Sequence, residues 1–324
     1  MSNMTEILVL QADLHEKMWG GTALRDLYGF DIPSDHTGEA WVASGHPNGP
    51  TWIKNGRFKG KTLVEVWRQH PELFQNAHGV RPFPLLVKIL DAHENLSVQV
   101  HPGNAYAAKH AHELGKTESW YILAAKPDAE IYFGHHAQTR AEFSQMLEQR
   151  DWERLLRKVP VKAGDFFYVP AGTLHALGAG VVALEIQQSS DTTYRVYDFD
   201  RIDQTTGFHR KLDLLDAKAV TQVPFAPVTP KQTTKQIGGA TCTTLVQAEY
   251  FNVQDYHLDG ACTLAPSDSY QIGVVVSGKV TIKSKRDTYS FTPGMSFILL
   301  ADGSDCMVTG TGEFVLATPG PAAK

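Results

Sequence analysis

Four side chains of metal-ligand type lie between residues 96 and 175, each at or near the end of a short apolar segment. They are Gln99, His101, Glu118 and His175. Because Gln99 and His101 are two residues apart, their side chains point to the same face if the segment is a β-strand. Two imidazoles, one carboxylate and a neutral amide oxygen suit a divalent cation such as zinc. These residue types and their spacing therefore indicate a metal site.

A lysine accompanies the carboxylate of this set. Lys116 precedes Glu118 by two residues and shares its strand face, which places its ammonium group near the metal. Near a cation and partly desolvated, we expect the pKa of Lys116 to fall, which suits a general base or a proton relay.

A second lysine interrupts the apolar run 84–90, whose composition predicts a buried strand. A buried lysine is costly unless its charge is paired. Two interpretations of Lys88 are open: a phosphate or carboxylate partner, or a position at the rim with its aliphatic stem against apolar surface.

The elements that position these residues are predicted to be mainly strands. From Val161 onward, short strand-like segments alternate with Gly and Pro, as is typical of a sandwich or barrel. The candidate strands are 165–169, 181–187, 194–198, 247–258, 270–276, 279–283, 288–291, 296–300 and 313–317. Helical spacing over 139–158, broken near Arg150, predicts a small helical insertion at about 137–159. The Pro- and Thr-rich segment 224–234 is predicted to connect two β units.

Composition excludes several classes of function. The 324 residues carry a net charge of −5, whereas a nucleic-acid-binding surface is basic. Three widely spaced cysteines give neither a disulfide framework nor a thiolate zinc site. No apolar run is long enough for a membrane helix, and the N-terminus lacks a basic, apolar leader. The expectation is a soluble, cytoplasmic protein without nucleic-acid or membrane partners.

The turn before His175 has a recognisable spacing. Gly164, Pro170, Gly172 and His175 match the second motif of the cupin β-barrel, while Gln99, His101 and Glu118 resemble a divergent first motif. Residues 293–303 resemble a further copy of the second motif, with Asp305 or Cys306 near the position of the histidine and no ligand pair before it. The implied fold is mainly β with a few helices: a bicupin of two β-barrel or jelly-roll domains. Residues 1–223 would form the catalytic domain with its helical insertion, and 235–324 a metal-free structural domain.

Several segments together resemble the type I mannose-6-phosphate isomerases, most closely their short bacterial form. They are 19–21, 88–92, 96–102, 115–118, 170–175 and 187–198. The resemblance implies one zinc ion per chain, held by Gln99, His101, Glu118 and His175, and a catalytic role for Arg195. Lys116 and Asp191 match other active-site positions of the family.

The implied reaction interconverts D-mannose 6-phosphate and D-fructose 6-phosphate through an enediol. Zinc would polarise the carbonyl and Arg195 would stabilise the enediolate. The general base stays open among Lys116, Asp191 and a metal-bound water. Arg195, Lys116 and Lys88 are candidates for the phosphate. The alternatives are a non-catalytic bicupin that binds a sugar phosphate, or another metal-dependent cupin enzyme such as an iron oxygenase. A monomer or weak homodimer is expected.

Overall fold

The computed structural model describes residues 7–75, 81–203, 206–301 and 303–323, and most of its regular structure is β-strand. The strands are β1 (Ile7–Gln11), β2 (Asp13–Gly21), β3 (Thr37–Ser44), β4 (Trp52–Ile53), β5 (Leu85–Ala92), β6 (Val98–Val100), β7 (Glu118–Ala125), β8 (Glu130–His135), β9 (Leu156–Pro160), β10 (Phe166–Val169), β11 (His175–Leu177), β12 (Val181–Gln188), β13 (Tyr194–Tyr197), β14 (Thr233–Ile237), β15 (Ala240–Gln247), β16 (Phe251–Leu264), β17 (Gln271–Lys283), β18 (Thr288–Phe291), β19 (Ser296–Leu299) and β20 (Cys306–Pro319).

The helices are short and lie between strands. They are α1 (Ala23–Tyr28), α2 (Leu63–Gln69), α3 (Asn104–His110), α4 (Arg140–Gln149), α5 (Trp152–Leu155) and α6 (Leu214–Val220), with 3₁₀ turns at Gly56–Phe58, Pro71–Phe74 and Pro321–Ala323. Within the ranges described above, no helix is long and apolar enough to cross a membrane. The prediction of a mainly β chain with a few helices is confirmed.

Three sheets organise the chain. One has the order β10-β7-β12-β5-β3-β2, a second β13-β6-β11-β8-β9, and a third β14-β15-β16-β20-β17-β19-β1-β4 with β18 on β17. The third sheet combines the C-terminal strands with β1 and β4, because Ile7–Gln11 pairs with Ser296–Leu299. Strand β1 therefore joins the C-terminal sheet. The two-barrel arrangement and the division into 1–223 and 235–324 stay predictions.

Strand β5 shows how the six-stranded sheet separates two cores. Leu85, Val87 and Ile89 belong to a cluster shared with the nine-stranded sheet, whereas Leu90 and Ala92 belong to a cluster shared with the five-stranded sheet. Alternate residues of a strand point to opposite faces, so both faces of β5 are buried and the run is almost continuously apolar. Lys88 points to the same face as Leu90, towards the five-stranded sheet.

The helical insertion is shorter than predicted. Helix α4 begins after Thr139, whose hydroxyl accepts a hydrogen bond from the Glu142 backbone N–H, and ends at Arg150 in a left-handed conformation with φ of 55°. The break near Arg150 is confirmed. The helical prediction is wrong over 156–158, which belongs to strand β9 (Leu156–Pro160). Its backbone pairs with the edge of β8 (Val159 opposite Ile131), and this pairing outweighs the local helical spacing.

Two boundaries in the C-terminal region also differ from prediction. The predicted strand 247–258 contains the turn between β15 and β16, and the predicted strands 270–276 and 279–283 form the single strand β17. β17 continues past Gly278 because a bulge between Val275 and Ser277 absorbs the irregularity within the ladder to β20.

Candidate active site

The five-stranded sheet aligns three of the predicted site residues. Gln99 on β6 lies directly opposite His175 on β11 and directly opposite Arg195 on β13. Residues directly opposite in antiparallel strands project from the same face. The sheet therefore presents an arginine, an amide and an imidazole in one row.

The turn before His175 follows from two glycines. Gly164 and Gly172 have φ of 88° and 89°, in the left-handed region that favours glycine. The N–H of Gly172 donates to the carbonyl oxygen of His101 at 2.9 Å, which joins the turn to the segment after β6. The Gly-turn and Pro-x-Gly spacing thus places His175 next to His101.

Glu118 comes from the facing six-stranded sheet, where it begins β7 opposite Gln187 on β12. Its Oε1 lies 3.1 Å from Nε2 of His175, and its Oε2 lies 3.4 Å from Nε2 of His101. All three side chains are buried, and their ligand atoms lie within 4.8 Å of one another. We call this set the His–Glu–His cluster. Gln99, the fourth predicted ligand, lines the cavity beside it.

The hydrogen bonds of the two histidines prepare their Nε2 atoms for a cation. Nδ1 of His101 lies 2.9 Å from the carbonyl oxygen of Thr192, and Nδ1 of His175 lies 2.8 Å from that of Thr173. A carbonyl only accepts, so each Nδ1 donates and each neutral ring keeps its lone pair on Nε2. Burial and the neighbouring Lys116 lower the pKa of His101 to about 3, which keeps this ring neutral.

The cluster also leaves buried polar atoms without hydrogen bonds. They are both carboxylate oxygens of Glu118 and Nε2 of His175. Burial raises the pKa of Glu118, but Lys116 and the two imidazoles outweigh it and hold the pKa well below its usual value. An ionised carboxylate and imidazole lone pairs converging in a dry site fit a divalent cation. The sequence-predicted ligands His101, Glu118 and His175 are therefore brought together in a donor set suited to metal.

Lys116 lies beside the cluster, as its spacing from Glu118 predicts. Its Nζ is 3.2 Å from Oε2 of Glu118 and 3.0 Å from Nε2 of His101. Burial lowers the pKa of Lys116, but Glu118, Glu185 and other carboxylates outweigh burial and raise the pKa above its usual value. The expected fall in pKa was for Lys116 beside a bound cation, and the protein's own carboxylates act against it. Burial and a cation bound to Glu118 would both act in the expected direction.

A polar cavity of about 330 Å³ opens next to the cluster. Its lining includes Lys17, Trp19, Glu39, Lys88, Leu90, Leu96, Ser97, Gln99, Lys116, Glu185, Asp191, Thr193, Arg195 and Arg210. All three predicted catalytic residues, Lys116, Asp191 and Arg195, therefore face one space together with Gln99.

Asp191 and Arg195 share the cavity but have separate partners. The guanidinium of Arg195 donates from Nε to Ser97 Oγ at 3.2 Å and from Nη1 to the carbonyl oxygen of Lys211 at 3.2 Å. Asp191 is exposed and accepts from Asn48 Nδ2 at 3.0 Å. Within the described ranges, no hydrogen bond or ion pair joins Asp191 to Arg195, so the two side chains are held independently.

Lys88 is paired with carboxylates, which decides between its two interpretations. Its side chain is 4% exposed, and its Nζ lies 3.6 Å from both Oε2 of Glu39 and Oε1 of Glu185. The rim position is therefore wrong. Strand register produces this arrangement, since Lys88 lies directly opposite Glu185 on β12 and Trp41 on β3. The Trp41 indole donates to Glu39 and the Trp120 indole donates to Glu185.

Glu39 and Glu185 are the residues of the cavity wall that sequence reasoning missed. Each is an acidic residue inside a strand that is buried along its length. Both carboxylates lie beside Lys88, which the sequence had already indicated as a buried charge. A buried lysine that requires a partner, together with an isolated acid in a neighbouring apolar strand, is the signal that could have found them.

Two facing sheets that enclose a buried His–Glu–His cluster beside a charged cavity define a mainly β protein with a candidate metal centre. The family model described as "Phosphomannose isomerase type I, catalytic domain" matches residues 7–121, and "Mannose-6-phosphate isomerase, cupin domain" matches residues 241–319. The chain belongs to the type I phosphomannose isomerase family, whose members are enzymes.

Individual relatives span nearly the whole chain. A probable mannose-6-phosphate isomerase, GmuF, of Bacillus subtilis (strain 168) is 46% identical over 317 residues, which is 98% of this chain and 100% of the relative. The mannose-6-phosphate isomerase of Streptococcus mutans is 47% identical, covering 91% of this chain and 93% of the relative. The crystal structure of mannose 6-phosphate isomerase from Bacillus subtilis aligns with a TM-score of 0.94 at 43% identity, covering 97% and 99% of the two chains.

Proposed function

We propose that the protein is a zinc-dependent aldose–ketose isomerase that interconverts D-mannose 6-phosphate and D-fructose 6-phosphate through an enediol. The observation that carries this proposal is the polar cavity next to the His–Glu–His cluster, which is lined by both acids and bases. The relatives named mannose-6-phosphate isomerase support the choice of substrate, since they cover almost all of the chain.

His101, Glu118 and His175 would hold one catalytic zinc ion, with Gln99 as a fourth ligand from the neighbouring strand position. The cation, when bound, supplies Lewis acidity that polarises the sugar carbonyl. The protein's contribution is to bury the donor atoms and to fix both imidazole tautomers through the carbonyl oxygens of Thr192 and Thr173.

Lys116 and Asp191 are both placed for proton movement. Neighbouring carboxylates, Glu118 first, raise the pKa of Lys116, and a cation held by Glu118 would oppose this, so the lysine suits proton donation as an ammonium and proton abstraction once deprotonated. The base that takes the proton from carbon stays open among Lys116, Asp191 and a water molecule. Asp191 is the acid of the cavity that is exposed to solvent, whereas Glu39 and Glu185 are buried against Lys88.

Arg195 is proposed to bind the anionic part of the substrate and to stabilise the enediolate. Its guanidinium is held by a hydroxyl and a carbonyl oxygen, so neither of these bonds neutralises its charge. Lys88, the other phosphate candidate, is already paired with two carboxylates and is better suited to a structural role.

The test is an isomerase assay on mannose 6-phosphate in which fructose 6-phosphate formation is coupled to a dehydrogenase. We expect activity that disappears when excess chelator removes the metal and returns when zinc is added. Full turnover by metal-free protein would refute the metal-dependent mechanism. Tight binding of mannose 6-phosphate without turnover would instead favour a binding protein, and oxygen uptake by an iron-loaded chain would favour an oxygenase.

A further inference from the structure

A second group of potential metal ligands lies on the nine-stranded sheet, away from the cavity described above. Asp255 and His257 are two residues apart on β16, and Glu313 on β20 lies directly opposite His257. Residues at i and i+2 of a strand share a face, and so do residues directly opposite in the neighbouring strand. The fold therefore brings two carboxylates and one imidazole together on one face.

The three side chains are close enough to share one ion. Nε2 of His257 lies 3.0 Å from Oδ2 of Asp255, and Nδ1 lies 3.9 Å from Oε2 of Glu313. One ligand atom from each residue lies within 4.8 Å of the other two. Tyr121, from the six-stranded sheet, donates its hydroxyl to Oε1 of Glu313 at 2.6 Å and so fixes the orientation of that carboxylate.

An independent observation is a buried oxygen without a partner. Asp255 is 4% exposed, and its Oδ1 makes no hydrogen bond. A buried carboxylate oxygen without a partner carries a desolvation cost, which a bound cation would offset. Asp255, His257 and Glu313 line a cavity of about 430 Å³ between the two sheets, with Tyr121 and Thr243 on its wall. The imidazole of His257 is 59% exposed, so an ion has access from solvent.

A repeat of the predicted cupin barrel would place its metal ligands inside the C-terminal apolar cluster. Asp255, His257 and Glu313 do not lie there. The residues adjacent to it in sequence, Tyr256 and Phe314, pack inside the C-terminal apolar cluster. Alternation along the strand therefore directs Asp255, His257 and Glu313 outward, towards the six-stranded sheet.

We propose that Asp255, His257 and Glu313 form a second divalent-cation site, which takes a first-row transition metal of the zinc class between the C-terminal sheet and Tyr121. Two carboxylate oxygens with one imidazole nitrogen are a donor set for such ions, and water would complete the coordination. The cation would supply the missing partner for the buried Asp255 oxygen. The predicted absence of metal from residues 235–324 would then be wrong for the outer face of this region.

Zinc stoichiometry tests the proposal. The full-length wild type and the variants His257→Ala, His101→Ala and the double variant are stripped with chelator, dialysed against buffered zinc, and analysed for zinc per chain. We expect two zinc ions in the wild type, one in each single variant and none in the double variant, with wild-type turnover in His257→Ala. Equal zinc content in His257→Ala and the wild type overturns the second site. If instead zinc did not bind at the His–Glu–His cluster, His101→Ala would contain as much zinc as the wild type, while His257→Ala would still lose one ion.

A second variant separates metal binding from folding. Asp255→Asn has nearly the same shape and removes a buried carboxylate whose Oδ1 has no hydrogen bond, while its partner His257 is largely exposed, so we expect the metal-free variant to stay folded. In the His101→Ala background, added zinc should raise the melting temperature, because an ion that binds only the folded state stabilises it. The same addition should leave His101→Ala/Asp255→Asn unchanged. An equal zinc-induced shift in both proteins would refute the site.

Discussion

Replacing Lys88 with methionine tests the charge arrangement on the cavity wall. Methionine keeps most of the buried volume of the lysine stem but removes the ammonium that lies 3.6 Å from both Glu39 and Glu185. The variant leaves two carboxylates facing each other in a desolvated site. Removing one partner of a buried ion pair typically costs about 3–5 kcal/mol, because the remaining charge is uncompensated.

The pKa of Glu39 gives a second measure of the same effect. Burial raises this pKa, but Lys88, Lys17 and the Trp41 indole outweigh burial and lower it to about 2, from an ordinary value of 4.5. This difference corresponds to about 3 kcal/mol of stability. Because the folded-state pKa is depressed, the contribution is present above pH 4.5 and is lost as the pH falls towards 2. Because Lys88 is the largest of the groups that lower this pKa, we expect Lys88→Met to lose about 3 kcal/mol at neutral pH, within the range for a broken buried ion pair.

Urea unfolding of the metal-free wild type and Lys88→Met, followed by fluorescence at several pH values, measures this loss. The difference should shrink below pH 4.5, where Glu39 no longer requires a cation in the variant. Lys17→Met is the matched control. It also removes an ammonium beside Glu39, at 3.5 Å, but its side chain is 31% exposed, so we expect a loss of about 1 kcal/mol or less. A loss in Lys88→Met no larger than in Lys17→Met, or one independent of pH, would refute the reasoning.

Three further predictions concern the active site. His101→Ala should weaken zinc binding at the catalytic site by more than ~100-fold, since losing a residue that merely orients a ligand already costs about 10- to 100-fold; competition with a chelating dye measures this. Arg195→Ala should keep its zinc content but lose roughly 100- to 1,000-fold in kcat, as expected when one stabilising donor is removed. Metal analysis and steady-state kinetics measure the two quantities, and normal turnover would contradict the prediction. Asp191→Asn should change the free energy of unfolding by less than about 0.5 kcal/mol, because Asp191 is exposed, while kcat falls; an unchanged kcat would remove Asp191 from proton transfer.

The local geometry of the site was predictable because strand alternation is a short-range rule. Residues two apart in a strand share a face, and the structure places the charged groups of Lys116, just before β7, and Glu118, its first residue, 3.2 Å apart. The Gly and Pro spacing before His175 was equally informative, because a residue with positive φ is required at Gly172. These features depend on a few neighbouring residues, whereas the meeting of the separate segments in one site was implied by the family resemblance.

The long-range features depend on register, which the sequence does not encode locally. Glu39, Lys88 and Glu185 come from three strands far apart in the chain, and only the pairing of β3, β5 and β12 brings them together. The same holds for Glu313, whose position opposite His257 requires the β16–β20 ladder. The pKa of Lys116 depends in the same way on carboxylates, including Glu185, whose proximity the sequence does not reveal.

The charges of the cavity are arranged so that Arg195 stands out from the other cationic side chains. Lys88 is held between Glu39 and Glu185, Lys116 contacts Glu118, and Arg210 is paired with Asp198. Within the described ranges, Arg195 forms no ion pair, and burial lowers the pKa of its half-buried guanidinium. A partly desolvated cation with only neutral partners is stabilised by an incoming anion more than one already paired. The phosphate or the enediolate of the proposed sugar-phosphate substrate is such an anion, so under the proposed function we expect it to bind at Arg195.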